Sequence, residues 1–518
     1  MRLMHPQRAR PLLLRGKVVR DDGTAPDRYV LVRDGRIASI SRRRPPRSGD
    51  ALYLETGPDD WVFPGLLDLH THADYNLLPL WEAPRRYENR FQWRADPRYK
   101  NDVRGLAEYL ARPDEAHAQE KAHARTIAVF SELQAVAGGT ATLQEGRSLE
   151  REAGLGEPVL CRSTANPEDL GLPGDAQVLS LVDFFRPDDA GRPAPVDWAF
   201  EAYLTARDAG RLHATLAHLA EGRSGFGAEA GPDPYSRAEF AAFMAHPAFA
   251  DAGRVRSSPL ALIHGCGIDV DDERHLAFLR ERGISVIWSP VSNLLLYGET
   301  LDVEKLVAAG VNVALGSDWS PSGSKHVWDE AKLARFYFEA IGSAVSDVQV
   351  FRMVTTNAAR CLGSDRLGRL VEGAMADFFI LRSPLESDVA LEVFFKTADR
   401  HVRGVFIGGV PLYGARDFLA PCGLPLQGLP AREGSAVEGK AVYLPPQLTK
   451  ADGEPIDVDR DVTHLEDLLK AAPPPLPATR RSNLLASSDG PYRRRLIRLR
   501  QDVVDYGGRV QEWRRRRR

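Results

Sequence analysis

The chain has 518 residues, 43% hydrophobic and 27% charged, with a formal net charge of −3. That length exceeds one simple domain, the apolar fraction can build a sizeable core, and the near-neutral charge excludes a protein wholly dedicated to nucleic acid. The four cysteines, Cys161, Cys266, Cys361 and Cys422, are far apart with no C-x-x-C. This excludes a disulfide framework and a cysteine zinc knuckle, and fits a reducing, cytoplasmic setting.

The basic N-terminus carries an apolar run, Leu12–Leu14, that is too short for a signal peptide or a membrane span. From Leu12 to about residue 62, "LLLRGKVV", "RYVLVRDGRIASIS" and "ALYLET" read as short strands, with Asp34-Gly35 as a hairpin turn. From Phe63 to about Leu362 apolar strands alternate with helical stretches. "WAFEAYLTARDAG" precedes "HATLAHLAE", "DDERHLAFLRERG" precedes "ISVIWSP", and "DVEKLVAAG" precedes "VNVALGSD". A repeat of helix, glycine and strand implies parallel strands joined by crossover helices. The expected fold class is therefore α/β, a (β/α)8 TIM barrel with insertions. A doubly wound sheet is disfavoured because no G-x-G-x-x-G follows an early strand.

After the barrel, "GRLVEGAMADFFILR" and "HVRGVFIGGVPLYG" return to short strands with Gly turns. The expected organisation is a barrel over 63–362, interrupting a small composite β-sandwich domain made of 1–62 and 363–440. Residues 441–518 are expected to be a Pro-rich linker, with "PPPLP" at 473–477, and an Arg-rich tail. Residues 479–518 hold 13 Arg against Asp489, Asp502, Asp505 and Glu512. Two readings stay open there: a solvated tail or helix packing on the barrel, and a segment that binds an anionic partner.

Chemistry gathers where apolar runs stop. "WVFPGLLDLHTHADYN" ends a run with His70 and His72; strict alternation puts Asp68 on their face and Leu67 and Leu69 on the other. "HATLAHLAEG" ends with His218 and Glu221, "PLALIHGCG" with His264, and "VNVALGSDWSPSG" with Asp318. In a barrel these strand ends face the active-site mouth. Several imidazoles with one carboxylate suit Zn²⁺, and also Fe²⁺ or Mn²⁺.

In order, "PGLLDLHTH", "HLAE", "LIHG", "SPVSNLLL", "VALGSDWSPSG" and "TTNAARCLG…GRLVEGAMADFFIL" resemble the metal-dependent amidohydrolase superfamily. The likeness is greatest to the branch of cytosine deaminase, guanine deaminase and the triazine hydrolases, and covers about residues 12 to 415. The resemblance implies a hydrolase of C–N bonds other than peptide bonds, a deaminase or amidohydrolase of a small, cyclic substrate, using a metal-activated water. Chlorohydrolase-type C–Cl hydrolysis and a non-catalytic binding barrel are the alternatives. By the same resemblance His70, His72, His218 and Asp318 are the metal ligands, Asp318 also accepts the water's proton, and Glu221 is the proton shuttle. His264 polarises the substrate, with direct ligation as its alternative.

One divalent ion is expected, zinc ahead of iron or manganese. Two-metal relatives use a carboxylated lysine, and no lysine lies between Lys121 and Lys305; Glu145 is the one substitute. Asp68 reads as a turn anchor, and Cys266 as a small buried side chain. Asn293 is expected to support the site from the loop after the seventh strand. Trp81, Arg85, Asn89, Gln92 and Trp93 fall in a long loop after the first strand, where a substrate-contacting lid is expected. Lys325 and His326, after the eighth strand, are expected as further substrate contacts, with an ordinary loop leading into a helix as the alternative. The expected partner is a small molecule, with no membrane span; a homo-oligomer is left open.

Overall fold

Eight short strands run parallel in chain order through the middle of the protein. They are β1 (Leu66–Asp68), β2 (Thr140–Leu143), β3 (Arg162–Ser163), β4 (Gln177–Asp183), β5 (Leu212–Leu219), β6 (Leu260–His264), β7 (Ser285–Trp288) and β8 (Val313–Leu315). β1, β2 and β3 form one sheet, and β4 to β8 another, every pair parallel. A parallel bridge between Thr71 and Asp318 joins the end of β1 to the end of β8. The Thr164 and Ser180 hydroxyls, 2.9 Å apart, link the β3 end to β4. The computed structural model describes residues 10–46, 48–72, 75–78, 80–111, 121–144, 160–228, 230–429, 439–446, 448, 454–471 and 491–517. Glu145 and the "PPPLP" run lie outside the described residues.

The helices between strands follow the sequence pattern: α1 (Arg90–Ala95), α2 (Lys121–Ala137), α3 (Asp197–Asp208), α4 (Pro234–Ala245), α5 (Glu273–Arg282), α6 (Pro290–Tyr297), α7 (Val303–Ala308) and α8 (Val327–Ala340). α5 starts where the Asp272 carboxylate accepts the Arg274 N–H and stops at Gly283, whose φ of 63° only glycine adopts freely. β5 to β8 are buried on both faces, which is why they read as near-continuous apolar runs. Outward residues such as Trp288 pack on Tyr337 and Phe338 of α8.

Strict alternation is not kept along β1. Leu67 and Leu69 pack in one cluster with Ala214, Leu216 and Ala314, which share the parity of His218 and Asp318. β1 has a register irregularity between Leu66 and Leu67 and ends at Asp68. His70 and His72 are therefore placed by the β8 loop and not by strand parity: Asp318 N–H donates to His70 O at 2.8 Å, and His72 N–H to Asp318 O at 2.6 Å.

Strands from both ends of the chain share one ten-stranded sheet among the described residues. Its seam pairs Asp60–Pro64 antiparallel with Phe378–Arg382. The Asp34-Gly35 hairpin is present, with φ of 50° and 72° at the two turn residues. A further strand, Lys440–Tyr443, belongs to this sheet and crosses the boundary expected at residue 440. Arg162 of β3 ties the sheet to the parallel strands: its guanidinium grips the Asp377 carboxylate through two bonds of 2.6 and 2.8 Å, both side chains buried.

The Arg-rich segment is α9 (Pro491–Arg517), a helix lying on α6 and α8. Its apolar stripe, Leu499, Val503, Tyr506 and Val510, is buried. The described part of the Arg-rich segment is thus a packed helix. No helix among the described residues is long and apolar enough to cross a membrane.

Candidate metal centre and its cavity

His70, His72, His218 and Asp318 converge on one point. His70 Nε2 lies 3.1 Å from His218 Nε2 and 3.5 Å from Asp318 Oδ1, and His72 Nε2 lies 3.6 Å from the same oxygen. His70, His264 and Asp318 form a second overlapping group of ligand-type atoms. Burial pushes His72 down to about 4 and holds His70 and His218 well below the usual histidine range, so all three imidazoles are neutral donors. Burial, reinforced by Glu221, pushes the Asp318 carboxyl well up.

The donor set fits a divalent cation. A proton on His70 Nδ1, 2.8 Å from the Ser289 hydroxyl, leaves the Nε2 lone pair facing His218. A lone pair aimed at a second imidazole nitrogen and a carboxylate oxygen is a donor arrangement that a divalent cation satisfies. Donors sharing a tetrahedral ion at ~2.0–2.1 Å lie roughly 3.3 Å apart, close to the separations above.

Backbone strain aims these groups. Ala220, His264 and Asp318 adopt φ of 55°, 67° and 62°, a region side-chain-bearing residues rarely enter. Gly316 lets β8 approach β1, since a Cβ there would lie 2.4 Å from the His70 Cβ. Asp68 accepts the Ser317 N–H at 3.0 Å, as a turn anchor would, and burial pushes its carboxyl up to about 7.

Glu221 accepts a 2.5 Å hydrogen bond from the Tyr297 hydroxyl, which itself accepts the Trp93 indole N–H at 2.9 Å. Burial alone would raise its carboxyl, but His264, Arg90 and Tyr297 together hold it below the usual glutamate range. Its second oxygen lies 3.6 Å from His264 Nε2. Asn293 Oδ1 sits 3.0 Å from His264 Nδ1 and fixes the proton there, so neutral His264 presents a lone pair to the centre. That tautomer suits direct ligation; donation to an oxyanion requires protonation, which burial opposes. Cys266 is buried, takes a 3.4 Å contact from the Asn293 amide, and is pushed up to about 12 by burial.

A cavity of about 640 Å³ opens over the centre. Tyr75, Trp93, Tyr99 and Trp319 form one aromatic wall, with Trp93 and Trp319 ring centres 5.6 Å apart. Leu179, Leu181 and Trp198 lie among the other lining residues. Asp183 ends β4 as the register partner of His218 and lines the cavity, with Arg90 at 3.4 Å and Arg186 at 3.6 Å.

The expected substrate contacts fall elsewhere. Trp81 is buried against Tyr87 and Tyr99, Arg85 stacks on Tyr87, and Asn89 caps α1 and bonds Asp233. Gln92 pairs with Glu88. Lys325 is ion-paired to Asp399 at 2.6 Å, and the His326 ring is buried against Gly138. None of these lines the cavity, whereas Trp93 does. The sequence reading missed Arg90, Arg94, Asp183, Tyr297 and Trp319. Asp183 resembles the other candidates in place, a polar residue at the end of the strand-forming stretch "VLSLVD".

Parallel strands whose ends hold three imidazoles and a carboxylate make a scaffold whose donor set suits a divalent metal ion. Residues 216–412 match the amidohydrolase family, as the ordered motifs indicated. A 5-methylthioadenosine/S-adenosylhomocysteine deaminase of Thermococcus onnurineus is 36% identical over 124 residues, covering 23% of this chain and 28% of that protein. The matched stretch thus spans under a third of that relative's length. Among solved structures, the guanine deaminase of C. acetobutylicum with bound guanine superposes with a TM-score of 0.56 at 16% identity, over 77% of this chain and 99% of that one. A mutant atrazine chlorohydrolase from Arthrobacter aurescens, complexed with zinc and atraton, gives 0.53 at 17% identity, over 88% and 99%. At these identities the likeness is one of α/β fold.

Proposed function

We propose that this chain is a mononuclear metallohydrolase that cleaves a C–N bond other than a peptide bond in a small, planar substrate. The observation that carries the reading is the convergence of His70, His72, His218 and Asp318 beneath a cavity that also holds Glu221 and His264. In this reading the eight parallel strands close as one (β/α)8 barrel over about 63–362. The Thr71–Asp318 bridge and the Thr164–Ser180 contact support closure. The two end segments form a composite β domain reaching residue 443.

His70, His72, His218 and Asp318 would hold the ion, zinc by the donor chemistry, with His264 as a fifth donor. Bound there, a divalent cation supplies the Lewis acidity that brings the pKa of a water toward neutrality. The residues do the rest. Asp318, beside the same centre, would take the water's proton. Glu221, facing the same cavity, relays a proton to the departing nitrogen, because amines leave poorly as anions. The Tyr297 hydroxyl fixes which carboxylate oxygen does this. The Trp93–Trp319 wall offers a flat face for a heterocycle.

The test is a zinc-loaded preparation challenged with adenosine-type nucleosides, guanine, cytosine, aminotriazines and a chlorotriazine, scored for ammonia and chloride. Ammonia release that Glu221→Gln abolishes, with zinc retained, supports the reading. Chloride without ammonia, or turnover untouched by Glu221→Gln, refutes it.

A further inference from the structure

α9 lies outside the 216–412 family match, yet it touches the loops that carry the site. Arg495 is 4% exposed and has no ion pair among the described residues. Its guanidinium donates to Ser320 O at 2.9 Å, Pro321 O at 2.6 Å and Trp81 O at 2.8 Å. Ser320 and Pro321 stand two and three residues after Asp318, and Trp81 N–H donates to Pro321 O at 2.7 Å. One buried cation thus fastens the loop after β8 to the loop after β1, and these two loops bear Asp318, His70 and His72.

The rest of the helix repeats the pattern. The Tyr492 hydroxyl donates to Asp329 at 3.0 Å and accepts the Lys325 N–H at 3.3 Å. The Tyr506 hydroxyl donates to Phe226 O at 2.6 Å, in the loop after β5, and accepts the Thr300 N–H at 3.3 Å. The Thr300 hydroxyl accepts the Asn293 amide N–H at 3.1 Å, and Asn293 fixes His264. Gly507 closes on α8, where a Cβ would lie 2.7 Å from Ala340 O. Arg514 holds Glu304 at 2.6 Å.

A guanidinium buried with no carboxylate in contact loses hydration, which its three carbonyl partners and the more distant Glu82 offset only in part; burial lowers its pKa to about 10. Helix docking alone does not require that cost, because Leu499, Val503 and Val510 already supply an apolar stripe. What Arg495 satisfies is three loop carbonyls. We propose that α9 is a positioning strap for the metal centre, with Arg495 and Tyr506 as positioning residues that set the loops bearing Asp318, His72 and His264. The inference rests on the reading given under Proposed function.

The experiment compares Arg495→Met, Arg495→Lys and Tyr506→Phe in the full chain. It follows amide exchange by mass spectrometry without metal, and zinc affinity by competition. Losing a charged hydrogen bond corresponds to roughly 10- to 100-fold in a local equilibrium. In Arg495→Met, residues 317–325 and 80–82 should exchange about tenfold or more faster while 496–510 stay protected, and zinc should bind about tenfold more weakly. Arg495→Lys should recover part of both. Should Arg495→Met release the whole helix, Tyr506→Phe, which removes one oxygen, should still loosen 294–300 with the helix docked. Wild-type exchange in these loops and wild-type zinc affinity in both Arg495→Met and Tyr506→Phe would overturn the proposal. Failure of the wild type to hydrolyse any panel compound would sink the proposed reaction and leave the exchange result standing.

Discussion

Removing the Tyr297 hydroxyl tests the proton-handling side of the site. Tyr297 is the last residue of α6, and its hydroxyl lies between the Trp93 indole and Glu221. Donation to a carboxylate favours the charged form, and here it helps hold Glu221 below the usual range. Tyr297→Phe keeps the ring and deletes that donor. A hydrogen bond to a charged group contributes about 1.5–3 kcal/mol, and one pKa unit is about 1.4 kcal/mol, so the Glu221 pKa should rise by about 1–2 units. If ionised Glu221 is the form that takes up and relays the proton, the acid limb of kcat/KM moves up in pH by that amount. Activity should fall on the acid side of the profile and change little near pH 8, where Glu221 stays ionised in both proteins. The assay is a pH–rate profile of both proteins on the panel compound the wild type turns over best, with zinc content measured on each sample. An acid limb at the wild-type pH, with zinc retained, would falsify the assignment of that limb to Glu221.

Asp318→Ala removes the one carboxylate of the ligand set, so metal retained through dialysis should drop several-fold and turnover should vanish; wild-type metal content would remove Asp318 from the set. Arg162→Met breaks the buried bidentate pair with Asp377 and should cost about 3–5 kcal/mol in urea unfolding. Arg162→Met/Asp377→Asn should recover much of it; a cost under about 1 kcal/mol for the single change refutes the seam's importance. Lys440, nearly buried with Val402 O as acceptor, is pushed down to about 8 by burial. A cation depressed in the folded state is destabilising while charged, so wild-type stability should rise relative to Lys440→Met between about pH 8 and pH 10.5, by at most about 3 kcal/mol. A flat difference in melting temperature across that window would contradict the burial of a charged amine.

The candidate donors His70, His72, His218 and Asp318 were legible because each stands at or just beyond the end of an apolar run, and a polar residue at such a place needs a reason. Asp183 stands in a similar place, at the end of a strand-forming stretch, and was legible in principle. The lid was not, because composition does not say which side of a segment faces the substrate. Trp81 and Arg85 looked suitable but pack away from the cavity. The informative signal was local: Asn89 is an N-cap, its carboxamide oxygen accepting from Phe91 and Gln92. A helix starting there puts Arg90, Trp93 and Arg94 on one face at spacings of three and four, and those three line the cavity. Tyr297, Ser289 and Arg495 had no such signal. Each reaches the site from a helix or loop that only tertiary packing brings near.

The strained strand ends show why these distant partners matter. Ala220, His264 and Asp318 hold left-handed backbone that costs of order 1–3 kcal/mol each, so the alternative extended geometry must be excluded by bonds from elsewhere. Each has such a bond. Ala220 N–H is held by Glu239, itself gripped by Arg90; His264 by Asn293; and Asp318 by its two backbone bonds to the His70–His72 segment. Two of the three partners are braced in turn by α9, through Thr300 and through Ser320–Pro321. The parallel strands supply the positions of the donors, and the strap supplies the constraint that keeps their backbone in a conformation the local sequence would not choose.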